Sequence, residues 1–301
     1  MLSRGLKRIM GQRLLRRMAA GMFSIAALLS LTACGASSSP QGSGTGDLLD
    51  KVKSSKVLSV AVASFPPLEY QDPATQQWSG VDIDILSKFA STLGAKLEVH
   101  SMAFPATIQS VASKRDDITA NIFKTPERED VLTFSNPVIK YVEGIIVNSD
   151  FPRIPAATVE GLQGKKIATA TGTAEQAFVP RIPGAVNQSY NSVNEAFLAL
   201  SSGRVDATFQ PVMYAEWAVK KNPSLHIKVL GPVPESITGK GNQAPAGYYG
   251  VAKGDYSKRF LDELNKFLVQ EQSNGGLKQI LEKYGLTDPS YLAGLGNQSG
   301  S

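Results

Sequence analysis

The chain has 301 residues, with 31 lysines and arginines against 26 acids and 42% hydrophobic residues. That composition suits a folded protein, and the length exceeds one ordinary core. Six of the basic residues stand in the first 17 positions with no acid among them, which leaves 25 against 26, a net of −1, for the rest. The sequence pI near 9.1 therefore comes from the N-terminus, and it gives no support to nucleic-acid binding by the remainder.

At the N-terminus, Arg4, Lys7, Arg8, Arg13, Arg16 and Arg17 precede an uncharged, largely apolar run from Met18 to Leu31. A small residue, Ala33, then precedes Cys34, the only cysteine. This is the pattern of a secretory signal peptide over 1–33. As a membrane anchor it falls short, since fourteen helical residues reach about 21 Å against a hydrocarbon core of roughly 30 Å. Residues 34–46 continue as GASSSPQGSGTG after the cysteine, a flexible leash by composition. The folded body is expected from about Asp47 to Leu286, with residues 288–301 as a loosely held tail.

Along the body, short apolar runs alternate with helix-period segments. Val57–Val62 reads as a buried strand. Ile85, Leu86, Phe89, Ala90 and Leu93 recur at helical spacing, with Asp82 placed to cap that helix. Lys96–Met102 and Ile118–Ile122 read as strands, and Thr107–Ala112 as helix. Thr125 and Pro126 open a further helix as N-cap and first residue. Tyr141–Val147, Lys166–Ala170 and Ala207–Gln210 form a second strand series. Ser192 and Glu195 make a capping box, Met213–Lys220 is helical, and Tyr249–Ala252 precedes a long amphipathic helix through Phe260 and Phe267. Alternation of this kind predicts α/β lobes with mostly parallel sheets.

Two resemblances are carried by motifs in this order. Leu31-Thr32-Ala33-Cys34 resembles the lipobox of bacterial lipoproteins, which implies lipidation of Cys34 and cleavage before it. The strings FPPLEY (65–70), GVDIDI (80–85), TPERED (125–130), FSNP (134–137), LQGKKIA (162–168), TGT (171–173), GRVDA (203–207) and GGLKQILEKYG (275–285) resemble the extracellular solute-binding proteins of polar amino-acid ABC transporters. The family's fold implies two α/β lobes joined by two crossover hinge strands. Lobe one would be 47–140 plus 245–287, and lobe two 141–244, with hinges near 140–144 and 243–249. The implied function is capture of an amino acid, or an amino-acid-like carboxylate, in the interlobe cleft and delivery to an ABC permease. A monomer is expected, lipid-anchored and facing the periplasm or the extracellular side.

The resemblance assigns Arg128 to the ligand's α-carboxylate, a role its planar fork suits by donating two parallel hydrogen bonds. Thr171 and Thr173 flank a turn whose N–H groups, at the start of a helix near Ala174, would meet the other side of that carboxylate. Phe65, Phe104 and Phe123 are expected as walls, with Asn121 and Gln210 as polar contacts. Where the family commonly places acids for the ligand's ammonium, this chain has Val62 and Pro211. A substituted nitrogen held in a cage of Phe65, Phe104 and Phe123 is therefore one expectation, and an ordinary amino acid held by unusual groups is the other. Glu69 is a nearby carboxylate without an expected ligand contact.

Other chemistry finds little support. With Cys34 lipidated, no thiol remains, and His100 and His226 are far apart, so no metal site is expected. Glycines 161, 164 and 172 form no dinucleotide or phosphate-loop pattern, and no cofactor is expected. Tyr214 and Trp217, at i and i+3, read as a packing face. The rival is an enzyme on the same fold, resembling periplasmic cyclohexadienyl dehydratase. Its glutamate register falls on Tyr214 here, with Glu216 two residues on and turned by roughly 200°.

Overall fold

A computed structural model describes residues 46–239 and 245–295. The signal segment, Cys34 and the leash up to residue 45 lie outside the described residues. The first lobe is built on a parallel sheet with the largely apolar Val57–Val62 strand at its centre, flanked by Lys96–Ser101 and Ile118–Thr119. The run VLSVAV is apolar nearly throughout because helices cover this sheet on both faces. On one side Leu86 and Phe89 of the Val81–Thr92 helix meet Phe260 and Phe267 of the Lys258–Ser273 helix. The Phe89 ring stands 5.4 and 5.3 Å from those two rings. On the other side lies the Phe104–Ala112 helix, which starts three residues earlier than periodicity predicts.

The second lobe carries a five-stranded sheet in the order 186–190, 166–170, 207–211, 143–148, 227–232. The first three strands run parallel and the last two join antiparallel. The architecture is thus α/β with parallel centres, less uniformly parallel than the alternation suggested. Between the two sheets, Ile139–Lys140 pairs antiparallel with Ala246–Tyr248, which also pairs with Ile122–Phe123. Strands leaving and re-entering the first lobe therefore lie side by side.

Local signals explain the element starts, with exceptions. Thr125 Oγ1 accepts from Arg128 N at 3.4 Å, and Pro126 occupies the first helical position. Ser192 Oγ accepts from Glu195 N at 3.2 Å. The returning Glu195 carboxylate accepts from Asn191 N, one residue ahead of the cap. Asp82 does not cap its helix. Gly80, at φ 132°, holds the cap position, and Asp82 is the second helical residue, fully buried. The tail also departs from expectation, since Tyr291 and Leu295 are buried and Pro289–Tyr291 forms a 3-10 turn.

Candidate functional site

Arg128 lies on a four-residue helix, Pro126–Glu129, and only 7% of it is exposed. Its Nη1 donates to the Phe123 carbonyl at 2.7 Å within the first lobe. Its Nη2 donates to the Gly172 carbonyl of the second lobe at 3.2 Å. The guanidinium carbon stands 5.0 Å over the Phe104 ring. Burial pulls its pKa down while the nearby Glu175 and Glu127 carboxylates pull it up, and it remains a cation.

Around Arg128 the two lobes enclose a space of about 390 Å³ including its open mouth, of which about 40 Å³ admits the centre of a water molecule. That is room for a few waters, so a ligand of amino-acid size requires the lobes to part. Phe65, Phe104, Asn121, Phe123, Thr173 and Gln210 line this space together with Arg128. Thr171 does not. It is exposed, and its hydroxyl donates to the Tyr190 carbonyl at 2.9 Å.

The TGT turn is built differently from the expectation. It leads into a single 3-10 turn, Ala174–Ala177, too short to present a helix N-terminus. Its amides are already engaged: Thr171 N donates to Tyr190 O, Gly172 N to Gln176 Oε1 and Thr173 N to Ala170 O. The turn instead offers the Gly172 carbonyl to Arg128. Gly172 sits at φ 78°, and a Cβ there would lie 2.6 Å from Pro105 Cγ of the first lobe. Only a glycine permits this approach.

The aromatic walls pack on one another. Phe65 meets Phe104 edge-on at 5.4 Å and stacks parallel to Tyr214 at 5.9 Å, while Phe123 meets Tyr141 edge-on at 4.9 Å. All three phenylalanines line the cleft, and the Phe104 face is covered by Arg128. Tyr214, read from sequence as packing, lines the cleft as does Tyr141.

Four buried carboxyls surround these rings, and sequence reasoning gave a ligand role to none of them. Below the cleft, Asp82 Oδ1 accepts from the Tyr249 hydroxyl at 2.7 Å and from Asn121 Nδ2 at 3.2 Å. Burial pushes the Asp82 carboxyl up to about 6, and burial beside Asp82 raises Glu69 well above the usual range. In the second lobe, Glu175 lines the cleft. Burial raises it, against the downward pull of the Thr173 hydroxyl, its own backbone N–H and Arg128. Glu143 is buried, and burial and Glu175 together push it well above the usual range. The signal available in sequence was an acid at 143 inside the otherwise apolar run 141–147. Among the described residues, no group of three or more His, Cys, Asp or Glu side chains is arranged to hold a metal ion. No helix among them is long and apolar enough to cross a membrane.

A buried guanidinium between two α/β lobes, walled by rings and faced by acids, defines a two-lobed ligand trap. Residues 58–287 match the bacterial extracellular solute-binding proteins, family 3, and the chain belongs to that family. Among relatives, the L-cystine-binding protein TcyA of Bacillus subtilis is 24% identical, over 87% of this chain and 95% of its own length. ABC transporter arginine-binding protein 1 of Escherichia coli is 26% identical, over 74% and 87%. Among solved structures, the P235GK mutant of ArgBP from T. maritima superposes with a TM-score of 0.69 at 28% identity, covering 79% of this chain and 98% of that one.

Proposed function

We propose that this protein captures an amino acid, or a closely related carboxylate, between its lobes and hands it to an ABC permease. The observation that carries this reading is the Arg128 fork, buried at the lobe interface with its hydrogen bonds directed to two backbone carbonyls. A carboxylate is a stronger acceptor for a guanidinium than a neutral carbonyl. An entering carboxylate can therefore displace the Gly172 contact and bridge Arg128 to the second lobe. The ligand then binds the closed arrangement better than the open one, and closure follows from that difference. The cystine-binding and arginine-binding relatives support an amino acid as cargo.

The proposal places lobe one at 47–140 plus 245–287 and lobe two at 141–244. Residues 1–33 act as an export signal, and Cys34 carries the lipid that tethers a monomer outside the cytoplasm. No reaction is performed on the ligand. Glu216, the acid nearest the dehydratase register, is exposed and does not line the cleft. Calorimetric titration of residues 35–301 with the standard amino acids and L-cystine tests the reading. Saturable binding of at least one is expected. Conversion of a cyclohexadienyl acid to an aromatic product, with no amino-acid binding, would establish the enzyme instead.

A further inference from the structure

A second and roomier space lies beyond one wall of the cleft. The 212–221 helix gives it Tyr214, Trp217, Ala218 and Lys221, spaced i, i+3, i+4 and i+7 and so lying along one helix face. The 193–201 helix adds Phe197 and Leu198, and Phe65 and Pro66 supply the side of the first lobe. The cavity measures about 880 Å³ including its mouth, and about 370 Å³ of it admits the centre of a water molecule, against about 40 Å³ in the cleft. Packed interiors leave few voids larger than a water, so a space of this size is a ligand-sized pocket. Phe65 and Tyr214, stacked at 5.9 Å, line both spaces and form the wall between them. Apart from the aromatic and apolar lining, the cavity has Asn194, Lys221 and Asn222, all exposed, and no acid among its lining residues. Lys221 Nζ stands 4.7 Å over the Trp217 ring, and its charge is felt by Asp72, which does not line the cavity. Leu198 leaves 53% of its surface to solvent. The chemistry on offer is thus an apolar floor with one cation and two amides.

We propose that this cavity is a second binding site, taking a small carboxylate with a ring or short hydrocarbon body and no ammonium group. The body covers Leu198 and the aromatic faces, removing them from water. The carboxylate accepts from Lys221, with the Asn194 and Asn222 amides as further donors. An ammonium would meet Lys221 and no acid, which sets this site apart from one for amino acids. Arg128 and the other polar residues of the cleft take no part in it. An occupant touches Phe65 and Pro66 from the first lobe and both helices from the second. It therefore favours the arrangement described above, in which the cleft admits only a few waters, and opposes entry of an amino acid. By reciprocity, a bound amino acid weakens the occupant by the same factor. This coupling, unlike the site itself, rests on the solute-binding reading.

Calorimetric titration of residues 35–301 with 4-phenylbutyrate, and with 4-phenylbutylamine as its counterpart of opposite charge, tests the assignment. Saturable binding of the carboxylate is expected with a Kd at or below about 1 mM, and binding of the amine at least about fivefold weaker. Lys221→Met is expected to weaken the carboxylate by about threefold, as suits an exposed ion pair. Leu198→Asp, at an exposed position, sets an acid against the carboxylate and serves as the second variant, with a loss at least as large. Arg128→Ala is expected to leave 4-phenylbutyrate binding unchanged, which separates this site from the cleft. Saturating 4-phenylbutyrate is expected to raise the amino-acid Kd by a factor that reaches a plateau. No saturable binding of the carboxylate, equal affinity for the amine, or loss of 4-phenylbutyrate binding in Arg128→Ala would overturn the proposal. A dimer in sedimentation that Leu198→Asp returns to monomer would assign this face to a second copy and overturn it too. Amino-acid binding indifferent to 4-phenylbutyrate would overturn the coupling alone. Binding of 4-phenylbutyrate with no amino acid bound under any condition would overturn solute capture and leave the site standing.

Discussion

Asp82 shows how much a position can differ from its residue type. As the second residue of a helix it looks like an exposed first-turn acid, favourable to the helix dipole. Yet it is fully buried, and its carboxyl sits at about 6 in the folded protein against roughly 3.9 in an unfolded chain. Between those values the folded state binds the extra proton. Asp82's contribution is therefore complete below about pH 4 and is lost as pH rises through about 6. Comparing thermal midpoints of the unaltered protein and Asp82→Asn from pH 4.5 to 7.5 isolates this effect. The unaltered protein is expected to lose several degrees relative to the variant as pH rises. Arg128 was singled out by the resemblance of its TPERED string, while the helix start that holds it was readable locally from Thr125 and Pro126. Glu143 was not, because its burial depends on a strand register set by residues 207–211, far away in the chain.

Among elements, the start of the 193–201 helix was readable, since Ser192 and Glu195 act on neighbours a few residues away. Ser192→Ala is expected to cost about 1 kcal/mol in urea unfolding. The TGT turn was misjudged because a three-residue string does not specify how far the next turn continues. Here it ends after Ala177, and Gln176 folds back onto the Gly172 amide. The contribution of this turn is a close approach between lobes. Gly172→Ala adds a Cβ against the rigid Pro105 ring at a positive φ. It is expected to weaken ligand binding by more than about tenfold, and small-angle scattering with excess ligand should show the lobes failing to close fully. Unchanged affinity would mean the Pro105 contact plays no part in closure.

For the whole molecule, strand and helix alternation gave the α/β class, and the motif series gave the two lobes. The antiparallel additions, 143–148 and 227–232, escaped notice because an apolar run carries no sign of strand direction. The tail escaped for a related reason. Its polarity hides Tyr291 and Leu295, which find cover only once the body has folded. The proposed export and anchoring rest on residues 1–34, and Cys34→Ser is expected to move the protein from the membrane fraction to the soluble fraction. The proposed capture converges on one side chain. Arg128→Ala, titrated against whichever amino acid the unaltered protein binds, should lose at least a hundredfold in affinity while keeping its circular dichroism spectrum. Affinity within about threefold of the unaltered protein would contradict the assignment of Arg128 as the ligand's grip.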